Sequence, residues 1–239
     1  MNAVNKLPRT YSEVIAINVD IQNDFALPSG ALSVNGGEDI VNPANSTNKF
    51  VRENSGQVIF TQDWHRPDNK KHFEKWPVHC VQHKAGAALH DNLDVVADDT
   101  IAQKGMYLED DGYSGWGAEL QTGALFHALS HLHRSERTVG RAIGILARQA
   151  AEKGDRIAVL IQGLATDYCD RATVVDALNN TSQEIVDVYV VTDAMKAVNI
   201  HPEDGARALA EMLAAGAHPI TSQEIVDGSI VIDRGRLER

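Results

Sequence analysis

Four runs of the chain are aliphatic and β-branched across almost their whole width: residues 14–20 (VIAINVD), 57–62 (QVIFTQ), 157–163 (IAVLIQG) and 187–193 (DVYVVTD). Unbroken apolar runs of this length, rather than strict alternation, predict strands covered on both faces, as in a parallel sheet. A shorter run at 101–104 (IAQK) and a last one at 229–233 (SIVID) bring the expected total to about six strands. Residues 39–54, 138–153, 167–179 and 203–215 carry helical patterns, and Pro43 and Pro202 lie near the start of the first and last. Strands alternating with helices predict an α/β fold of three layers, α/β/α, around a mostly parallel sheet.

On that map the reactive side chains fall at strand ends. Asp20 closes the first strand, Asp63 and His65 follow the second, Lys104 closes the short one, and the segment from Leu164 to Cys169 follows the next. In open α/β sheets the crevice beyond the carboxyl ends of the strands is where ligands bind, so four strands direct chemistry to one rim.

Composition narrows the classes of function. With 22 basic and 33 acidic residues the net charge is −11, which opposes phosphate-rich partners, so no nucleic acid is expected. No run approaches the roughly 18 apolar residues of a membrane span, and the opening MNAVNKLPRTYSEV has no apolar signal core, so neither membrane association nor export is expected. The two cysteines, Cys80 and Cys169, are too few for a disulfide framework and suit a reducing compartment; the expected location is cytoplasmic. The expected organisation is a single domain over 1–239. Its oligomeric state is not fixed by the sequence, which is compatible with a homo-oligomer.

Two sets of residues carry candidate chemistry. Asp63, His65, His72 and His79 lie within one short stretch, TQDWHRPDNKKHFEKWPVHC. Asp63 and His65, two apart in an extended segment, point the same way, and carboxylate plus imidazole suits one divalent metal ion, Zn foremost, with Fe or Mn as alternatives. Thiolates are missing from the set, which points to an open site rather than a closed structural one. The second set is Cys169 with Asp20 and Lys104. Thr166 is a good N-cap for a following helix, which would put Cys169 in the first helical turn, where backbone N–H groups favour the thiolate. Asp20 would accept the thiol proton, Lys104 would hold the charge, and the N–H groups of Ala165 and Cys169 would receive an oxyanion. Cys80 has no helix start behind it and reads as packing.

With these residues in view, the chain resembles the nicotinamidase/pyrazinamidase family, the metal-containing branch of the isochorismatase-like hydrolases. The resemblance rests on VDIQNDF (19–25), TQDWH (61–65), HFEKWPVHCVQ (72–82), GAALH (86–90), KG (104–105), DGYSGW (111–116) and GLATDYC (163–169), in the family's order. It implies the isochorismatase-like fold, a triad of Asp20, Lys104 and Cys169, and Asp63, His65 and His79 as metal ligands; His72 matches a position that ligates in some members only. It also implies Phe25 and Trp76 as aromatic walls around a flat pyridine carboxamide and a cis peptide at Leu164–Ala165. The implied reaction is hydrolysis of nicotinamide to nicotinate and ammonia through a cysteine thioester, serving NAD salvage, with the metal holding the ring nitrogen and pyrazinamide accepted as an analogue. The alternatives are a related cysteine amidase acting on another small amide, a silent binding protein of the same fold, and a hydrolase in which metal-bound hydroxide attacks.

Some features depart from that pattern. Tyr168 stands where some relatives have His, and His83-Lys84 replaces a small pair. Residues 118–137 are expected to be a helical insertion with Leu125, Leu129 and Leu132 on one face and His127 and His131 one turn apart. The acidic run Glu109 to Asp111 reads as a solvated loop. TSQEIVD occurs twice, at 181–187 and 221–227, with different flanks, so it is not a repeat array; the first copy falls where a short helix-to-strand turn belongs.

Overall fold

The computed structural model describes residues 9–108 and 110–233. Its centre is a seven-stranded sheet made of β2 (Glu13–Val19), β3 (Gln57–Asp63), β4 (Thr100–Lys104), β5 (Glu119–Thr122), β6 (Ile157–Leu164), β7 (Val186–Lys196) and β8 (His218–Ile220), in the order β5-β4-β3-β2-β6-β7-β8. Every pairing is parallel except β4 with β5. The unbroken apolar runs are the inner strands, and all eight residues of β6 are buried. A separate two-stranded sheet joins β1 (Arg9–Tyr11) to β9 (Ile230–Ile232).

The fold is the expected α/β architecture with one strand more than the six anticipated and a different membership. The run near 229–233 pairs with β1, outside the central sheet. Strands β5 and β8, four and three residues long, complete the edges instead. Edge strands this short leave almost no periodic signal.

Helices cover both faces. The short turns are α1 (Asn23–Ala26), α3 (Lys70–Phe73), α4 (Ala124–Ala128) and α8 (Ser222–Glu224); the long helices are α2 (Val41–Glu53), α5 (Val139–Ala151), α6 (Arg171–Asn180) and α7 (Asp204–Ala214). Val41, Ala44 and Val51 of α2 pack with Val14, Ala16, Val58 and Phe60 on one face. Val139 and Ile143 of α5, Val174 and Ala177 of α6 and Met212 of α7 pack with Ile15, Ile17, Ile59 and Val159 on the other. Residues 118–137 hold β5, α4 and a 3-10 turn (Arg134–Glu136) rather than one helix. Leu125 and Leu129 are buried there, but His131 lies beyond the end of α4, so the two histidines do not form a helical pair.

The chain runs from β2 outward to β3 and β4, then returns to place β6 on the other side of β2. That reversal opens a crevice at the carboxyl ends of β2 and β6, the point where such sheets bind ligands. Val19 is in register with Gly163, and Asp63 with Lys104. A Cβ on Gly163, at φ 142°, would lie 2.0 Å from the Val19 carbonyl oxygen, so only glycine lets β2 and β6 close up beneath the site.

Candidate active site

Asp20, Lys104 and Cys169 meet at the switch point, though the first and last lie 149 positions apart in the chain. Asp20 leaves β2 in the left-handed region, at φ 51°, and is held there by Thr61 of β3. The Thr61 hydroxyl donates to Asp20 Oδ1 at 2.7 Å and accepts the Asp20 N–H at 3.2 Å. Lys104 Nζ, at the end of β4, lies 2.7 Å from Asp20 Oδ2, 2.5 Å from Asp63 Oδ1, 2.5 Å from the Gly112 carbonyl oxygen and 3.6 Å from Cys169 Sγ. Reactive atoms of Asp20, Asp63 and Cys169 all lie within 4.8 Å of one another around that ammonium.

All of these groups are buried, which sets their electrostatics. Burial works against the Lys104 charge, but Asp20 and Asp63 outweigh it and hold the ammonium protonated well above its ordinary range. Burial pushes Asp20 up to about 6, against the pull of Lys104. Burial also raises Asp63, but there Lys104, His65 and His79 prevail and hold it well below the carboxylate range. The Cys169 thiol is pushed up by burial more than Lys104 draws it down.

The helix start differs from the expected one. Thr166 does not cap the helix; Ala165 precedes a five-residue π-helical turn, Thr166–Asp170, and α6 begins only at Arg171. Cys169 sits inside that turn, where the Ala165 carbonyl accepts the N–H groups of Tyr168 and Asp170 at 2.9 and 3.1 Å. Burial disfavours the thiolate, which gives the attack a use for a base beside the sulfur. Leu164–Ala165 is cis, as the resemblance implies.

The imidazoles form the other half of the site. His65 and His72 stack with centroids 3.9 Å apart, and His79 lies 5.1 and 5.2 Å from them. One ring nitrogen of each falls within 4.8 Å of the others. Each Nδ1 is tied off: His65 to the Gly105 carbonyl at 3.2 Å, His79 to the Pro77 carbonyl at 2.6 Å and His72 to Asp111 Oδ1 at 3.4 Å. An N–H at each Nδ1 leaves the Nε2 lone pairs facing inward, and Nε2 of both His65 and His72 is buried with no hydrogen-bond partner. Asp63 Oδ2 completes the cluster at 3.5 Å from His65 Nε2 and 3.9 Å from His79 Nε2. Burial lowers the His79 and His72 pKa values, keeping both rings neutral. Imidazoles with converging lone pairs beside one ionised carboxylate fit a divalent metal, and His72 stands inside the set with His65 and His79.

The surrounding chain explains the motifs. Gly105, at φ 64°, passes so close to His65 that a Cβ would lie 2.5 Å from the ring. Gln22 clasps the Asp63 backbone, donating to its carbonyl and accepting its N–H, both at 2.8 Å. Asp24 accepts the Cys80 N–H at 2.7 Å, which pins the His79 segment to α1, the turn that carries Phe25. Cys80 itself is fully buried and its thiol is raised by burial, consistent with packing.

A cavity opens over Cys169, lined by Phe25, Trp76, His79, Tyr113, Tyr168 and Val198 among others. Phe25 lies against His79 with centroids 5.3 Å apart. Trp76 Nε1–H donates to the Tyr113 hydroxyl at 3.0 Å, and the Trp76 ring meets Tyr168 edge-on at 5.2 Å. Sequence reasoning found Phe25 and Trp76 but missed Thr61, Gln22, Asp24, Tyr113 and Tyr168 as parts of the site. All five sit within the quoted motifs, and that membership was the only signal available. Asp111, read as solvated, reaches His72; Glu109 of the same run lies outside the described residues.

The chain is similar to known proteins over most of its length. An isochorismatase domain model matches residues 14–108. The nicotinamidase of Escherichia coli (strain K12) is 34% identical over 220 residues, covering 83% of this chain and 90% of the enzyme. The crystal structure of pyrazinamidase from Pyrococcus horikoshii in complex with zinc is 32% identical with a TM-score of 0.65, covering 87% of this chain and 99% of that one. PnC1 from L. infantum, in complex with nicotinate, is 27% identical with a TM-score of 0.67, covering 95% and 100%.

Proposed function

As a member of the nicotinamidase/pyrazinamidase family of isochorismatase-domain hydrolases, to which this chain belongs, the protein is an amidohydrolase, and we propose how its own residues carry out the reaction. It hydrolyses nicotinamide to nicotinate and ammonia and accepts pyrazinamide. The observation that carries the reading is Lys104 Nζ, seated between Asp20 and Asp63 and 3.6 Å from Cys169 Sγ at the floor of an aromatic-walled cavity.

Asp20 takes the proton from the Cys169 thiol, and the sulfur attacks the carboxamide carbon. The oxyanion that forms is received by the N–H groups of Ala165 and Cys169. Asp20, now a carboxylic acid, gives the proton to the leaving amine; the C–N bond breaks, ammonia departs and the acyl group remains on sulfur as a thioester. Asp20 then takes a proton from the attacking water; the C–S bond breaks, Asp20 returns that proton to the sulfur to restore the thiol, and the acid leaves, giving its proton to solvent as nicotinate. Lys104 keeps Asp20 anionic between steps and stays protonated throughout. Asp63, His65, His79 and His72 would hold one divalent metal, zinc foremost, which supplies a Lewis-acidic anchor for the ring nitrogen. Phe25 and Trp76 would clasp the ring so that its carboxamide faces Cys169. The nicotinate product suits NAD salvage, and among the described residues no helix is long and apolar enough to cross a membrane.

The test is product analysis on metal-replete protein: ammonia and nicotinate should appear in equal amounts from nicotinamide, and pyrazinamide should also be consumed. Turnover confined to some other small amide would move the substrate assignment to that compound.

A further inference from the structure

We infer that Asp111 is a positioning residue for the metal site: its carboxylate, braced by Lys75, fixes the tautomer and ring angle of His72 so that Nε2 faces the other two imidazoles. The inference rests on the proposed metal reading and deepens it.

The three imidazoles are oriented in two different ways. His65 and His79 bond to backbone carbonyls of Gly105 and Pro77, acceptors that no side-chain substitution removes. His72 alone is oriented by a side chain, Asp111 Oδ1, 3.4 Å from its Nδ1. The other oxygen of that carboxylate accepts from Lys75 Nζ at 2.8 Å, and Lys75 lies just beyond α3, the turn that carries His72. The carboxylate thus spans two segments, α3 and the loop after β4. Without it, the buried His72 ring is free to place its proton on Nε2 and present no lone pair to the cluster. A carboxylate hydrogen-bonded to a ligating imidazole also raises the basicity of the ring, and removing such a partner typically weakens metal binding about 10- to 100-fold.

The same loop reaches two other parts of the site. Gly112, the next residue, offers its carbonyl to Lys104, and Tyr113 binds Trp76. A purely structural role for Asp111 would therefore disturb the lysine and the aromatic wall, whereas positioning His72 changes metal affinity alone. The two roles are separable by experiment.

The experiment is zinc affinity of the full chain by competition with a chromogenic chelator, compared across variants. Asp111→Ala should weaken zinc about 10- to 100-fold. Asp111→Asn, which keeps an oxygen but loses the charge, should fall between it and the parent. Asp111→Glu should recover part of the affinity, and Lys75→Met should lose less than Asp111→Ala. In a His72→Ala background, Asp111→Ala should cause no further loss, and alkylation of Cys169 by iodoacetamide in the metal-free protein should keep its parental rate. Parental zinc affinity in both Asp111→Ala and Asp111→Asn would overturn the inference while leaving the metal reading intact, as would an undiminished loss in the His72→Ala background. Failure of the parent protein to bind zinc, or any divalent metal tried beside it, would overturn the metal reading itself.

Discussion

The two halves of the cleft are built in opposite ways. Asp20, Lys104 and Cys169 come from the ends of three strands and meet only because the sheet reverses direction between β2 and β6. His65, His72 and His79 come from one stretch of chain that folds back on itself, with His65 bridged to Val81. The first half is a buried ion cluster in which one ammonium serves two carboxylates, and its geometry depends on the whole core. The second is a set of rings whose Nδ1 atoms are each tied to one acceptor, two of them on the loop after β4, so its geometry depends on single hydrogen bonds. Asp63 belongs to both, with one oxygen on Lys104 and the other facing the imidazoles. The lesson is that nucleophile and metal anchor should fail separately, except at Lys104 and Asp63.

The variant expected to break that separation most completely is Lys104→Met. It leaves Asp20 and Asp63 buried without their cation, which typically costs about 3–5 kcal/mol of stability. Thermal unfolding should show the loss, and both turnover and metal content should fall together. Parental stability would mean that the ion cluster contributes little to the fold.

Asp20→Asn should strike the nucleophile half alone, lowering kcat/KM about 10²- to 10⁴-fold, the usual contribution of a general base, with metal content unchanged. Because burial pushes Asp20 up to about 6, the base form is lost as pH falls through that value. The kcat/KM profile should therefore drop on the acid side with a midpoint near pH 6, and the residual activity of Asp20→Asn should lack that limb. The same limb in the variant would assign it to another group.

His79→Ala is the mirror test: it should lose metal and bind nicotinamide poorly while Cys169 still alkylates. Benzamide probes the same contact from the ligand side, since it has the carboxamide and the flat ring but no ring nitrogen. An anchor worth about 3 kcal/mol in the transition state predicts roughly 100-fold lower kcat/KM than for nicotinamide. Equal values in metal-loaded protein would remove the anchor from the account.

Cys80→Ala should have the smallest effect. Its thiol is directed at the Gly86 carbonyl, 4.0 Å away, so activity should stay at the parental level with a stability cost of about 1 kcal/mol, read from denaturant unfolding. A loss of turnover comparable to that of Asp20→Asn would reopen the choice of nucleophile.

What could be read from the chain follows the same division. The inner strands and the imidazole stretch are written locally, in apolar runs and short spacings. Thr61, which aims Asp20, carries no local signal, because a threonine in a strand is ordinary and its partner lies 41 residues away. The duplicated heptapeptide makes the limit plain. At 181–187, Thr181 ends α6 with its hydroxyl on the Ala177 carbonyl, and Val186 opens β7. At 221–227, Thr221 caps a helical turn, with its hydroxyl accepting the Glu224 N–H, and Ser222 donates twice to Asp193. The first copy is a turn that runs into β7 and the second a helical turn, so identical residues take different structures and the flanking packing decides. The upward push on the Cys169 thiol was missed for a related reason: a helix-start argument counts backbone dipoles and leaves out burial beside Asp20 and Asp63.

The most direct test of the division of labour is the rate of ammonia release from nicotinamide by Cys169→Ala protein carrying the same metal content as the parent. The account predicts a rate no higher than background, because the anchored ring then has no nucleophile to meet. Turnover within tenfold of the parent would contradict it and assign the attack to a water held by the metal half of the site.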